Sequence, residues 1–198
     1  MRAVRLVRFT LMPAIAAGWI LSGCGSEDNP VRPPKDPPGS PYLIRSTPQN
    51  VLLNLELAYS HRDSTECQQL YDSSYVGTSQ DLNDPPGTPP LHFTYYDEIG
   101  HVSTLYRTPT ISSVNVSFGP PSSWNRFESG DPSHPEWAAI QIAGTSLDIQ
   151  ITDGSNTWQA SGSAEFLEFM FKPTLDSASP TDTLWRIVRW TESRSAGP

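Results

Sequence analysis

After Pro109 the apolar pattern changes period. Ahead of it, Val51, Leu52, Leu55, Ala58 and Tyr59 recur at helical spacing, as do Ile99, Val102, Leu105 and Tyr106. Behind it, Val114, Val116 and Phe118 alternate with Ser113, Asn115 and Ser117. The first spacing lines side chains along one face of a helix, the second along one face of a strand. Each pattern leaves an apolar stripe that must be buried against another element. The chain is thereby confined to an α+β fold, with N-terminal helices packed against a curved, mostly antiparallel sheet.

Local signals place the elements. Thr47 followed by Pro48 predicts the start of a first helix, with Thr as N-cap and Pro pre-set at the first helical position. Asp63 is positioned to cap a short second helix over 64–71, turning Cys67, Leu70 and Tyr71 inward. Tyr75-Val76 suggests a brief strand, and "DLNDPPGTPP" (81–90) reads as a loop. A third helix is expected over 94–106, where Thr94 and Asp97 have capping-box spacing. Four or five strands follow, among them 137–142, 164–171 and 184–190, with a tight turn at Asp153-Gly154. Trp185 and Trp190 are separated by an odd number, which in an unbroken strand puts them on opposite faces.

The N-terminus has a different character. Arg2, Arg5 and Arg8 precede an apolar run from Leu11 to Leu21, interrupted by Pro13 and Gly18. This is the make-up of a secretory signal peptide over residues 1–23. A membrane-spanning helix needs about 20 apolar residues, more than this run supplies. Leu21-Ser22-Gly23-Cys24 resembles the lipobox of bacterial lipoproteins. That resemblance implies cleavage before Cys24, diacylglycerol on its thiol and a palmitate-type acyl chain on the new amino group. The competing reading is an ordinary cysteine beside a conventional cleavage site. Gly25, in place of the aspartate that favours inner-membrane retention in lipoproteins, implies an outer-membrane anchor facing the periplasm of the cell envelope.

Residues 24–45 follow as a Pro-rich tether without apolar periodicity, reaching up to about 50 Å at about 3.1 Å per residue. Residues 46–192 are expected as one domain and 193–198 as a tail. If Cys24 is lipidated, Cys67 has no intramolecular partner. It is then either a buried free thiol or half of an intermolecular bridge. Of 13 basic and 21 acidic side chains, cleavage removes three arginines and no acid, leaving a formal balance of −11. With basic residues scattered, nucleic acid is not an expected partner.

Three segments, "TPQNVLLNLELAYSHRDSTECQQLYDSSYV", "FTYYDEIGHVSTLY" and "LWRIVRW", resemble the nuclear-transport-factor-2-like (NTF2-like) α+β cone over residues 46–192. The likeness extends to its ketosteroid-isomerase-like members. It implies a helix pair, a third helix and a meandering sheet enclosing an apolar pocket. The Pro-rich loop 81–90 and the connection 119–136 depart from that pattern. They either lie over the cone's mouth or lengthen the surface.

The resemblance leaves two functional expectations. One is a non-catalytic binding or assembly module of the envelope, with a homodimer, an envelope protein or a small apolar ligand as partner. The other is an isomerase or hydratase acting on a small apolar ligand in the cone. The second requires an acid with hydroxyl donors in an apolar site. Candidate acids are Asp63, Asp97, Glu98, Asp148 and Glu168, and candidate donors are Tyr59, Tyr71, Tyr75 and Tyr95. None matches the family's catalytic pattern, so no catalytic residue is assigned. Within the apolar strand 164–171, Glu165 and Glu168 fall on opposite faces, so one points among apolar neighbours unless a sheet edge exposes both. Those two are the expected polar residues of a pocket. His61, His92, His101 and His134 share no ligand spacing; His61 with Asp63, or His92 with His101, is only a partial metal set. No cofactor motif occurs: a nucleophile elbow and a phosphate loop are both lacking.

Overall fold

In the computed structural model, residues 39–81, 84, 85, 87–143, 148–161, 164–177 and 182–194 are described. The expected leader, Cys24, the tether up to residue 38 and the last four residues lie outside them, as does the side chain of Glu165.

Helix α1, Pro48–His61, begins as its sequence dictates: the Thr47 hydroxyl accepts the Asn50 N–H at 3.2 Å, and Pro48 holds the first position. It ends at Arg62, whose left-handed φ of 56° returns its N–H to the carbonyls of Ala58 and Tyr59. The Arg62 guanidinium donates to the carbonyls of Tyr106, Thr108 and Ile111, joining the helix end to two later elements. In α2, Ser64–Leu70, the Asp63 carboxylate accepts the N–H groups of Thr65 and Glu66 at 3.0 and 2.9 Å. The capping box of α3, Tyr95–Arg107, is complete: Asp97 accepts the Thr94 N–H at 2.8 Å, and Thr94 accepts the Asp97 N–H at 3.4 Å.

The strands among the described residues are β1 (Tyr71–Asp81), β2 (Leu91–Thr94), β3 (Ile111–Ser117), β4 (Asn125–Glu128), β5 (Ala138–Ala143), β6 (Asp148–Asp153), β7 (Asn156–Ser161), β8 (Ala164–Leu175) and β9 (Thr183–Arg194). They form two sheets, one ordered β2-β1-β9-β8-β5-β4 and the other β3-β6-β7. Every pairing is antiparallel except β1 with β9. The fold is α+β, as the change of period requires. Helix α1 packs on β3 of the small sheet and on β5 and β9 of the large one. Val51, Leu52 and Leu55 meet Ile140, Leu167 and Phe169 in one core cluster, all fully buried. Burial of each such side chain stabilises the fold by about 1.5–3 kcal/mol.

Among the described residues seven strands follow α3 rather than four or five, and the brief strand expected at Tyr75-Val76 runs from Tyr71 to Asp81; two further details also differ from expectation. The β6–β7 turn is Gly154-Ser155, one residue beyond the expected pair, because Asp153 and Asn156 face each other and Gly154 takes the left-handed conformation at φ 59°. The second concerns β9. Ile187 pairs with Phe171 and Arg189 with Met170, which leaves Val188 as an extra residue, a β-bulge. The extra residue resets the alternation. Trp185 lies opposite Pro173 and Trp190 opposite Phe169, so the two tryptophans share a face and both pack on the core cluster. The opposite-face expectation fails at this bulge.

Residues 42–45, within the segment expected as tether, are fixed to the domain. Buried Asn54 accepts the Leu43 N–H and donates to the Leu43 carbonyl, both at 2.8 Å. Asn50 donates to the Ile44 carbonyl at 2.8 Å, and the Trp185 N–H donates to the Arg45 carbonyl at 2.8 Å.

Candidate functional site: an acid-floored apolar cavity

A cavity of about 660 Å³ opens between α3, the small sheet and the β1–β2 edge of the large sheet. Its apolar wall is the period-2 pattern made solid: Val114 pairs with Ile151 and Val116 with Ile149, and all four line the space. Trp190 from β9 and Phe93 from β2 add aromatic faces. A volume of this size suits a drug-sized organic molecule.

Glu98 forms the floor. It is one turn ahead of Val102 and two ahead of Leu105 on α3, so the apolar stripe carries a carboxyl inward with it. Only 9% of it is exposed. The hydroxyls of Tyr59 and Tyr71 donate to the same oxygen, Oε1, at 3.3 and 3.4 Å. Among the described residues Oε2 has no hydrogen bond. Burial pushes the Glu98 carboxyl up and the nearby Glu192 adds to this; His101 and the two tyrosine hydroxyls oppose it without cancelling it. The same burial raises the phenols of Tyr59, Tyr71 and Tyr75, keeping all three as hydroxyl donors.

Tyr75 reaches the cavity because β1 carries Gly77 two residues on: a Cβ there would lie 2.5 Å from the Tyr75 hydroxyl oxygen. At the mouth are Asp97, Glu192, His92 and His101. Ser79 donates to Glu192 at 2.6 Å, and Thr78 lies 3.3 Å from Nδ1 of His92. No lysine or arginine lines the cavity among the described residues.

The remaining candidates lie elsewhere. Asp63 is a helix cap that also accepts the Tyr42 hydroxyl at 3.0 Å. Asp148 is half-buried on β6, where Gln150 donates to it at 3.3 Å. Tyr95 is half-buried, edge-on to Tyr96 at 5.5 Å. Glu168 pairs across its strands with Gln141 and Thr191, between the buried residues Leu167 and Phe169 that face the core. It does not line the cavity, although burial raises its carboxyl too. The Glu165 side chain is outside the described residues. His92 and His101 do come to one cavity, but no three His, Cys, Asp or Glu side chains converge as a metal site among the described residues.

Sequence reasoning named Glu98 without singling it out, and missed Glu192. For Glu98 the usable signal was its i, i+4, i+7 alignment with Val102 and Leu105. Of the two departures from the NTF2-like pattern, loop 81–90 leads into β2, which supplies His92 and Phe93 to the mouth. The 119–136 connection instead builds β4 on the opposite edge of the large sheet. A smaller hollow, about 330 Å³, lies between Leu43 and the outer side of α1.

No protein-family model and no curated protein matches the chain. Solved structures with a similar fold include a conserved protein from Planctomyces limnophilus, 14% identical, with a TM-score of 0.46 over 73% of this chain and 91% of that one. An NTF2-like protein from Cytophaga hutchinsonii is 12% identical, with a TM-score of 0.41 over 74% of this chain and 93% of that one. An NTF2-like protein of unknown function from Pseudomonas putida is 9% identical, with a TM-score of 0.40 over 73% and 82%. NTF2-like proteins are thus among the structural neighbours. At these scores they assign this chain no activity, and a fold shared this widely carries none by itself.

Proposed function

We propose that this chain is an envelope lipoprotein, anchored through Cys24, whose NTF2-like domain binds a small, mostly apolar molecule in the cavity above Glu98. The observation that carries the binding reading is the pairing of about 660 Å³ of apolar-walled space with a single buried carboxyl at its floor. An apolar wall supplies affinity and one or two placed polar groups fix orientation. The anchor reading rests on the n-region, the h-region and the Leu21-Ser22-Gly23-Cys24 quartet acting together.

Native mass spectrometry of the protein extracted from membranes tests the binding. A bound small molecule is expected on the wild type and lost in Val116→Trp, which fills the wall. An empty wild-type cavity, or a ligand retained by the filled variant, overturns the reading. For the anchor, Cys24→Ala is expected in the soluble fraction; retention in the membrane overturns it.

One observation favours a catalytic second reading: two hydroxyls converge on an acid whose carboxyl is raised by burial. Such an acid holds its proton more tightly than an exposed carboxyl and can exchange it with a bound substrate. An isomerisation or dehydration that Glu98→Gln abolishes while binding persists would establish that reading.

A further inference from the structure

We propose that the cavity selects an organic amine: a molecule with a protonated nitrogen directed at Glu98 and Glu192 and an apolar body lying against Val114, Val116, Ile149 and Ile151. The inference rests on the ligand-binding reading of this cavity and names its ligand class.

Three observations converge. First, the permanently charged side chains lining the cavity are all acids, with His92 and His101 the bases beside them. Asp97, Glu98 and Glu192 come from two different elements, and neither lysine nor arginine lines the space among the described residues. An anionic ligand would bring like charge into a space of low dielectric, where repulsion is strongest; a cation is drawn in. Second, Glu98 is buried, and both tyrosine bonds fall on Oε1. Oε2 therefore remains an acceptor for an N–H that no described residue supplies. Third, Trp190, Tyr75 and Phe93 line the same space. Aromatic faces attract an ammonium through their quadrupoles, most strongly where water is excluded.

The groups facing Glu98 also fix how binding is linked to protons. From its own helix these are Asp97 and His101; from α1 and β1 they are Tyr59, Tyr71 and Tyr75; from α2 it is Cys67; from β9 and β2 they are Glu192 and His92. Burial holds the Glu98 carboxyl above its ordinary value in the empty cavity. An arriving ammonium favours the carboxylate and drives that proton out. Amine binding therefore displaces whatever proton Glu98 holds at the pH of the titration, whereas a neutral analogue leaves it in place.

The test compares three probes differing only in the head group: 4-phenylbutylamine, 4-phenylbutanol and 4-phenylbutyrate. Each is titrated calorimetrically into the full chain in nanodiscs of zwitterionic lipid, with empty nanodiscs as the blank. Running the amine in two buffers of different ionisation enthalpy counts the protons released. The amine is expected to bind at least about tenfold more tightly than the alcohol, with proton release, and the acid more weakly still. Glu98→Gln, which keeps both tyrosine bonds available, and Glu192→Gln at the mouth are each expected to reduce the amine's advantage. Should one variant fail to fold, the other carries the test. Alcohol binding equal to or tighter than amine binding overturns the amine assignment and leaves the cavity a ligand site. So does an amine advantage that survives in every folded variant. Absence of binding by all three probes overturns both.

Discussion

Tyr59 on α1 donates its hydroxyl to Oε1 of Glu98 on α3 at 3.3 Å, a bond between two helices made beneath the cavity floor. It adds to the bonds from Arg62 to the Tyr106 carbonyl and from the Tyr106 hydroxyl to the Ala58 carbonyl, which also join α1 to α3. It also makes the stability of the helix layer sensitive to the charge on Glu98.

That sensitivity has a definite sign. Burial, the largest influence, raises the folded-state value of the Glu98 carboxyl above its ordinary 4.5. The folded chain then holds this proton more tightly than the unfolded one. The associated stability is fully present below about pH 4.5 and is lost as pH rises through the raised folded value. Thermal unfolding of the wild type and Glu98→Gln across pH 4 to 8 should show the variant gaining on the wild type with rising pH. Parallel curves would contradict this.

At the start of α3 the sign reverses. The Thr94 hydroxyl and N–H hold the Asp97 carboxyl below its ordinary value, so this cap is intact above about pH 3.8 and weakens as pH falls. Thr94→Ala is expected to cost about 1 kcal/mol at pH 7, measured by urea denaturation. Asp97→Ala should be markedly non-additive with it, because the two side chains form one box.

Cys67 is fully buried, with its sulfur 3.4 Å from the Tyr106 hydroxyl oxygen, and burial pushes the thiol up to about 12. A thiol this protonated and enclosed reacts only when the structure opens. Ellman's reagent at pH 8 should therefore label Cys67 at the rate of local unfolding in native buffer, and at once in concentrated guanidinium. Rapid native labelling would show an open path to the sulfur.

Phe169 is fully buried between Phe118, at 5.3 Å between ring centroids, and Trp190, at 5.0 Å. Phe169→Ala should lower stability by about 3–5 kcal/mol in chemical denaturation. Because Trp190 lines the cavity, its fluorescence should shift as well. Unchanged emission would mean that the indole is held independently of its neighbour.

Where apolar pattern and burial coincide, the fold was legible. The stripe of α1, the caps at Thr47, Asp63 and Thr94, and the alternation of Val114 and Val116 all appear in the structure as read. Strands β2 and β4 were not legible, and the reason is physical. Both are exposed along their whole length, so no alternation marks them, and backbone pairing with a neighbour alone makes them strands. The bulge at Val188 was equally silent. Nothing in "LWRIVRW" announces an extra residue, yet it decides that Trp185 and Trp190 share a face. For the site, Glu98 could be read from its helix but Glu192 could not, since its place beside the cavity depends on that bulge and on the parallel pairing of β9 with β1.

The Leu43–Asn54 pair has a mechanical consequence. A pull on residues 39–41 reaches the domain at the bond from Tyr42 to Asp63 and then at two opposed hydrogen bonds to one asparagine. Asn54 lies midway along α1, and α1 also carries Tyr59, the partner of Glu98. The helix that holds residues 42–45 is thus also the one that braces the cavity floor, so a load on either is shared by both.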